Sequence, residues 1–186
     1  MQPGIEGKRI AALLGDGFEE TELTEPRRVL EEAGAIVTVV GIDEKSRQRI
    51  RGKRGLDEGA AVKAEELVSD VTAEDFDALL LPGGGSPDRI RVNREVQRLV
   101  REFDAAKKPM FALGHGAQVL ISAQLARGRT MTGSPSINDD IRNAGGLYRD
   151  QPVVQDGNWV TSRNPGDLVL FNRAILEKLA AQSAPV

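Results

Sequence analysis

The chain contains no cysteine and only one histidine, one tryptophan and one tyrosine among its 186 residues. Without cysteine it forms no disulfide and no thiolate-ligated metal site, and it has no thiol nucleophile of its own. A single histidine also excludes a zinc site built from cysteine and histidine. We therefore expect neither a metal nor any other cofactor.

Long hydrophobic runs are missing as well, because no apolar segment approaches the roughly 18 residues that a membrane-spanning helix needs. No signal peptide is recognised, and the formal net charge of −3 gives no reason to expect a nucleic-acid partner. Hydrophobic residues make up 40% of the chain, which is enough for a sizeable core. These features predict a cytoplasmic protein with one domain over residues 1–186 and no membrane partner.

Short apolar segments alternate with amphipathic segments along the chain. Strands are predicted where apolar runs end at glycine or proline, and helices where apolar residues recur at helical spacing. The predicted strands are Arg9–Leu14, Ile36–Gly41, Phe76–Leu81, Pro109–Leu113 and a short one at 130–132. The predicted helices are Thr24–Ala33, with Pro26 in its first turn, Asn93–Ala106, His115–Ala126, Ile137–Ala144 and Pro165–Ala181. Hairpins are predicted at 47–54 and around Asp156-Gly157.

This alternation favours an α/β fold of the flavodoxin-like type, in which a doubly wound, mainly parallel sheet carries helices on both faces. Ligands of such sheets bind where the carboxyl ends of neighbouring strands meet. Three glycine-rich or acidic loops follow predicted strands, at 15–22, 83–88 and 114–116. We therefore place the candidate site where these three loops converge.

The segment Pro109–Gly116 is typical of a buried strand, a very tight turn and the start of a helix. That arrangement is the nucleophile elbow, in which a serine or cysteine is held on a strained turn above a helix N-terminus. The residue at the elbow position is Gly114, which has no side chain. The sequence thus indicates a scaffold for nucleophilic catalysis without the nucleophile.

Four segments together resemble the ThiJ/PfpI superfamily, within the class I glutamine-amidotransferase-like fold. The resemblance is strongest to its branch of PfpI-type intracellular proteases and general stress proteins, and it extends over residues 8–179. The segments are FEETEL at 18–23, LPGG at 81–84, GHG at 114–116 and DGNWVTSR at 156–163.

The resemblance implies roles for four candidate catalytic positions. In the family the elbow is Cys-His-Gly-Pro, so its nucleophile matches Gly114 and the following histidine matches His115. A family glutamate that hydrogen-bonds the cysteine matches Glu22. In hexameric members an acidic residue after Pro-Gly-Gly reaches a neighbouring subunit's site, and it matches Asp88. The family also implies a homo-oligomer, dimer or hexamer, and small carbonyl or acyl substrates.

The chain departs from the family pattern at three positions, each of which becomes smaller. Gly114 replaces the cysteine, Ala117 replaces the following proline, and Ser134 replaces an aromatic residue often found before Pro135. We expect a roomier pocket in which cysteine-dependent activity is weak or absent. Glycine also relieves a strained turn with positive φ, so we prefer lost thiol chemistry as the explanation of Gly114, ahead of a pocket remade for another ligand and of an engineered change.

The histidine and the acidic residues each have a structural explanation as well as a functional one. His115 is a candidate general base on water, or a structural hydrogen-bonding group, since a helix N-terminus disfavours the imidazolium. Glu22 lies among acids that stabilise a helix N-terminus, and for Glu19 and Glu20 we prefer that explanation. Asp88 is explained either by the site or as a turn acid in surface ion pairs.

The glycines after the third apolar strand have two explanations. Gly83 and Gly84 end a strand as a plain turn, or they are anion-binding positions together with His115, in which the Gly84 and His115 N–H groups form an oxyanion or anion hole. An anion hole of backbone donors needs no side chain and survives the loss of a nucleophile. Lys53 and Arg54 are most simply solvated hairpin charges.

Several functions remain open from these residues. The first is a PfpI-like stress-response protein of the hydrolase or glyoxalase type, weak or inactive, with a retained anion-binding pocket. The second is a non-catalytic small-molecule-binding, chaperone-like or structural stress protein, including a subunit that assembles with an active paralogue. The third is a true enzyme in which Glu22 or His115 activates water.

Overall fold

The computed structural model describes residues 4–182, and its main layer is a seven-stranded sheet. Residues 1–3 and 183–186 of the predicted domain lie outside the described range. The strands within that range are β1 (Arg9–Leu13), β2 (Phe18–Glu19), β3 (Ile36–Gly41), β4 (Ile50–Arg54), β5 (Asp57–Val62), β6 (Glu66–Leu67), β7 (Ala78–Leu81), β8 (Met110–Leu113), β9 (Thr130–Met131), β10 (Leu147–Tyr148), β11 (Val153–Asp156) and β12 (Trp159–Ser162).

The strand order of the large sheet is β11-β12-β8-β7-β1-β3-β6. All neighbours are parallel except β11, which pairs antiparallel with β12. From β1 the chain proceeds outward to β3 and β6, and then returns to the other side of β1 for β7, β8 and β12. This confirms the predicted doubly wound, flavodoxin-like α/β fold. The carboxyl ends of β1, β7 and β8 lie side by side, at the edge where such sheets bind ligands.

Two smaller sheets accompany the large one. The first has the order β2-β4-β5 and contains a hairpin whose turn lies at residues 55–56, slightly beyond the predicted hairpin segment. The second pairs β9 with β10. Because β2 pairs with β4, the β4–β5 hairpin is held beside the loop that follows β1.

The helices cover both faces of the large sheet. Within residues 4–182 they are α1 (Glu20–Glu32), α2 (Ser86–Ile90), α3 (Arg94–Ala105), α4 (Ala117–Ser122), α5 (Asn138–Asn143) and α6 (Leu168–Ala181). Side chains of β1 alternate between the faces, as in any strand. Ala11 and Leu13 join the core under α2 to α5, whereas Ile10 and Ala12 join the core under α1 and α6.

Three helices, α1, α4 and α6, differ from their predicted bounds by more than one residue. Helix α1 begins at Glu20 rather than Thr24, so Pro26 lies inside it and not in its first turn. The predicted helix 115–126 is shorter: a 3-10 turn at Gly114–Gly116 precedes α4, which ends at Ser122. Its end is marked by Gln124, whose φ of 63° is left-handed and cannot continue a helix.

Short elements account for the other differences. Helix α2 has five residues, too few to produce a periodic apolar pattern. The two-residue strands β2, β6 and β10 are equally brief. The predicted start of α6 at Pro165 is a 3-10 turn, Pro165–Asp167, and the α-helix follows it.

Asp104 of α3 anchors the strand beside β8. Its Oδ1 accepts hydrogen bonds from Trp159 Nε1 at 2.8 Å, and from Arg129 Nη1 and Asn158 Nδ2 at 3.2 Å each. Trp159 is fully buried, and the Arg129 guanidinium lies 3.8 Å from the centroid of its ring. One carboxyl group therefore ties β12 and the start of β9 to α3.

Asp104→Ala is expected to lower the free energy of unfolding by about 2 kcal/mol, because a buried indole N–H and a partly buried guanidinium lose their acceptor. Urea denaturation monitored by Trp159 fluorescence measures the change. The control is Glu31→Ala, which removes an exposed ion pair with Arg27 on α1 and should change stability by less than about 0.5 kcal/mol. Equal effects of both substitutions would contradict the anchoring role.

Candidate functional site

The loops that follow β1 and β7 are joined by hydrogen bonds. The Gly15 N–H donates to the buried Ser86 hydroxyl at 2.8 Å, and the Gly85 N–H donates to the Gly17 carbonyl at 2.7 Å. The Glu19 N–H donates to the Gly83 carbonyl at 3.1 Å. Two of the three predicted loops therefore form one continuous backbone surface at the carboxyl edge of the sheet.

Gly114 lies directly after β8, in the 3-10 turn that leads into α4, and its φ is 53°. A Cβ built on Gly114 would lie 3.1 Å from Glu22 Oε1 and 3.5 Å from the Arg163 carbonyl oxygen. A side chain at position 114 would thus point at the Glu22 carboxyl group. The structure brings together these two predicted site residues, which are far apart in sequence.

Glu22 is 2% exposed, and its Oε2 accepts a hydrogen bond from the Gly83 N–H at 2.7 Å. Burial raises the pKa of the Glu22 carboxyl group to about 7 because it disfavours the charged form; the Gly83 N–H opposes this shift and the negative charge of Glu19 adds to it. Near neutral pH the group is therefore present both as acid and as carboxylate. Oε1 is the carboxyl oxygen nearer to a Cβ built at position 114.

Position 83 has room only for glycine, because the surrounding backbone and the Glu22 carboxyl group approach it closely. A Cβ at this position would overlap Glu22 Oε2 and would lie 2.7 Å from the Leu113 carbonyl oxygen and 3.1 Å from the His115 nitrogen. The Gly83 N–H is also already donated to Glu22. The other two predicted anion-binding positions, Gly84 and His115, do not donate their backbone N–H groups to this carboxyl group.

His115 is half-buried, and its Nε2 lies 3.1 Å from the Ser136 hydroxyl oxygen. Burial lowers the pKa of the imidazole, and the negative charge of Asp88 partly opposes that shift. The ring is therefore mainly neutral at pH 7 and able to accept a proton. Asp88 is exposed on α2 and acts electrostatically on the histidine of its own chain.

Sequence reasoning missed Ser136 as a neighbour of the site. It lies on the 3-10 turn Pro135–Ile137, and its hydroxyl is 3.0 Å from that of Ser134. The Ser134 N–H donates to the Gly114 carbonyl at 3.0 Å, which fixes this turn against the elbow. The sequence indicated this turn only through the small residue Ser134, and it did not indicate Ser136, whose hydroxyl lies beside that of Ser134.

Glu20 has a more specific role than the predicted stabilisation of a helix terminus. It is buried and accepts hydrogen bonds from Arg54 Nη2 at 2.8 Å and from the Ala60 N–H at 2.6 Å. The Arg54 hydrogen bond is the main reason why the pKa of Glu20 is lowered. Arg54 is an exposed charge of the hairpin, as expected, and in addition it ties the β4–β5 hairpin to α1. The Glu19 carboxylate also accepts a hydrogen bond from the Gly55 N–H, at 2.9 Å.

In the part of the chain that the structure describes, no group of three histidine or acidic side chains is placed to hold a metal ion. Over the same residues, no helix combines the length and the apolar composition needed to cross a membrane. The groups around the side-chain position of Gly114 are a buried carboxyl group, a neutral imidazole and backbone donors.

Comparison with known proteins gives a consistent result. The model of the DJ-1/PfpI family matches residues 8–178. General stress protein 18 of Bacillus subtilis (strain 168) is 44% identical over 177 residues, which cover 92% of this chain and 99% of that protein. Protein/nucleic acid deglycase 2 of Escherichia coli (strain K12) is 42% identical over 175 residues, which cover 94% of this chain and 99% of that protein.

Solved structures agree on the fold. The two-domain protein of Anabaena variabilis with DJ-1/ThiJ/PfpI-like and ferritin-like domains aligns with a TM-score of 0.87 and 38% identity, over 96% of this chain and 50% of that one. DJ-1 of Schizosaccharomyces pombe aligns with a TM-score of 0.81 and 25% identity, over 95% of this chain and all of that one. The chain thus spans about half of the first of these two structures.

Proposed function

The chain belongs to the DJ-1/PfpI family, and from this premise we propose that it is a stress-response protein that keeps the family's pocket without its nucleophile. In this proposal Gly114 occupies the position of the family cysteine, so protease or deglycase activity is weak or absent. The observation that carries the proposal is that a Cβ on Gly114 would lie 3.1 Å from Glu22 Oε1, where a nucleophile would contact the buried carboxyl group.

The ligand that fits this pocket is a small carbonyl or acyl compound. A relative is named as a deglycase, which supports a carbonyl-bearing ligand for this chain as well. Protonated Glu22 donates a hydrogen bond to a carbonyl oxygen, and the Gly84 and His115 N–H groups stabilise negative charge on a bound oxygen. Because none of these groups replaces a nucleophile, the pocket binds such a ligand better than it converts it.

A second candidate function is hydrolysis or proton transfer that uses water. The pKa of about 7 for Glu22 favours it, because a general base works best when its pKa lies near the working pH. In this scheme Glu22 accepts a proton from a water as the water oxygen adds to the carbonyl carbon of the ligand, and the proton passes to the leaving group as its bond to that carbon breaks. His115 is the alternative proton acceptor. Binding without any turnover, as in a chaperone-like protein, is the remaining alternative.

Assembly and location belong to the same proposal. We propose a homo-oligomer, dimer or hexamer, in the cytoplasm, in which Asp88 lies near a neighbouring subunit's site. In the single chain Asp88 already acts on its own His115. The oligomer and its location stay predictions.

The test compares the unmodified protein with Glu22→Gln in methylglyoxal consumption and peptide hydrolysis between pH 5 and 9. We expect both proteins to show similar, weak rates, at least about 100-fold below the rate of a Gly114→Cys variant, because loss of a nucleophile costs several orders of magnitude in rate. Turnover that rises through an ionisation near pH 7 and is lost in Glu22→Gln would instead establish the water-using enzyme. Saturable binding of methylglyoxal without turnover would support the retained pocket.

A further inference from the structure

Four basic side chains near the loop after β1 have no ion-pair partner among residues 4–182. They are Lys45, Arg49, Lys53 and Arg89, which come from three separate segments of the chain. The ion pairs of that region involve other residues, such as Arg51 with Asp16 at 2.6 Å and Arg54 with Glu20. The uncompensated positive charge is notable because the whole chain is acidic, with a formal net charge of −3.

These side chains line two adjoining cavities with volumes of about 210 Å³ and 260 Å³. Both cavities are lined by Asp16, Arg49 and Arg89, so these three residues form the boundary between them. Lys45 belongs to the first cavity, and Arg51 and Lys53 belong to the second. We call the two cavities together the basic cleft.

Two of the three acidic groups that line the basic cleft are already engaged. Asp16 accepts three hydrogen bonds from Arg51, one from its N–H and two from its guanidinium. Burial would raise the pKa of Asp16, but the bonds and charge of Arg51, together with the charge of Arg89, lower it. Asp43 accepts the N–H and the hydroxyl of Ser46. Only Glu58 offers a further, exposed carboxylate.

We propose that the basic cleft binds the phosphate group of a small phosphate monoester, with Arg49 and Arg89 as its two clamping residues. Arginine guanidinium groups match the oxygens of phosphate with paired donors, and two of them balance its two negative charges. Arg49 and Arg89 are the candidates because they border both cavities, and the ion pairs of this region within residues 4–182 are made by Arg51 and Arg54 instead.

The size and charge of the site favour a small ligand over a nucleic acid. Each cavity is concave and holds a few non-hydrogen atoms beyond a phosphate group, whereas a nucleic acid requires an extended basic surface. The acidic chain as a whole also repels a polyanion. The two cavities fit a ligand whose phosphate group lies in one cavity and whose few remaining polar atoms lie in the other.

The basic cleft is separate from the site around Glu22, although the loops of the two are hydrogen-bonded to each other. Gly17 lines the second cavity, and its carbonyl accepts the Gly85 N–H next to the Gly83-Gly84 turn. Glu22, Gly114 and His115 line neither cavity. The proposal therefore stands whether or not the Glu22 pocket is catalytic.

Isothermal titration at low ionic strength tests the proposal with glycerol 3-phosphate, inorganic phosphate and glycerol. We expect the two phosphates to bind and glycerol not to bind. Arg49→Gln combined with Arg89→Gln should weaken phosphate binding by at least about tenfold, which is the loss of one charge-assisted hydrogen bond. The matched control is Arg94→Gln with Arg127→Gln, which removes the same charge from exposed arginines outside the cleft and should leave binding nearly unchanged.

Amide NMR of the unmodified protein locates the ligand without any substitution. Glycerol 3-phosphate should shift the signals of Gly15, Gly17, Gly52 and Gly59, which line the cleft. Equal affinity for inorganic phosphate and the ester would support the clamp and identify free phosphate as a sufficient ligand. The proposal is overturned if neither phosphate binds, if both double variants lose binding equally, or if a single-stranded oligonucleotide binds more tightly than the ester.

Discussion

Gly114→Cys is expected to raise methylglyoxal consumption or peptide hydrolysis by at least about 100-fold over the unmodified protein, because removing a nucleophile costs several orders of magnitude in rate. The new Cβ would lie 3.1 Å from Glu22 Oε1, which places the sulfur beside a carboxyl group that is partly protonated at neutral pH. The thiol also lies at the start of the turn that leads into α4, where backbone dipoles favour a thiolate.

Two further variants distinguish the effect of the thiol on activity from the effect of adding any side chain at position 114. Gly114→Ala adds the same Cβ without sulfur, and Gly114→Ser adds a poorer nucleophile of similar size. All three substitutions place a Cβ at a φ of 53°, so each should lower stability by roughly 1 kcal/mol. Only the cysteine variant should gain activity, and iodoacetamide should abolish that gain. If Gly114→Cys is as inactive as Gly114→Ala, position 114 is not the nucleophile position.

The pH dependence of stability should differ between the unmodified protein and Glu22→Gln. In the folded protein the pKa of Glu22 is about 7, against 4.5 for the same group in water. Between these values the folded state holds a proton that the unfolded state releases, so raising the pH favours unfolding. The stability of the unmodified protein relative to Glu22→Gln should therefore fall from pH 4.5 to above pH 7, by about 3 kcal/mol in total.

Glu20→Gln is the matched control, since Glu20 lies two residues away in the same helix and its pKa is lowered rather than raised. Its contribution to stability is present above the ordinary carboxyl pKa and is lost as the pH falls. Glu22→Gln and Glu20→Gln should thus change the pH dependence of the free energy of unfolding in opposite directions. Chemical denaturation at each pH measures both, and parallel profiles for Glu22→Gln and the unmodified protein would contradict the raised pKa.

The fold was largely predictable because its signals are local. Buried parallel strands appear as short apolar runs, as in 36–41 and 109–113, and helix α3 shows its apolar stripe clearly. Helix α1 was harder, because Pro26 is usually a sign of a first turn, and only the tertiary packing around Glu22 and Leu23 extends the helix backward to Glu20.

The candidate site was predictable only in part. Loops at strand ends and the glycines of the turns indicated where Glu22, Gly83 and Gly114 meet, and the structure places them together. The bond between His115 and Ser136, and the bond between Arg54 and Glu20, join residues 21 and 34 positions apart. Such pairs leave no periodic pattern in one sequence, because they depend on how separate elements pack.

The proline inside α1 affects how the site carboxyl group is held. An ordinary residue at position 26 would donate its amide to the carbonyl of Glu22, one helical turn earlier, and Pro26 has no such amide. The opening turn of the helix is therefore linked to the remaining turns by one bond fewer. Its position is set instead by the backbone of the Gly83 turn and by the hairpin that Arg54 attaches. We therefore expect a displacement of that hairpin to shift Glu22 more than it shifts the later turns of the helix.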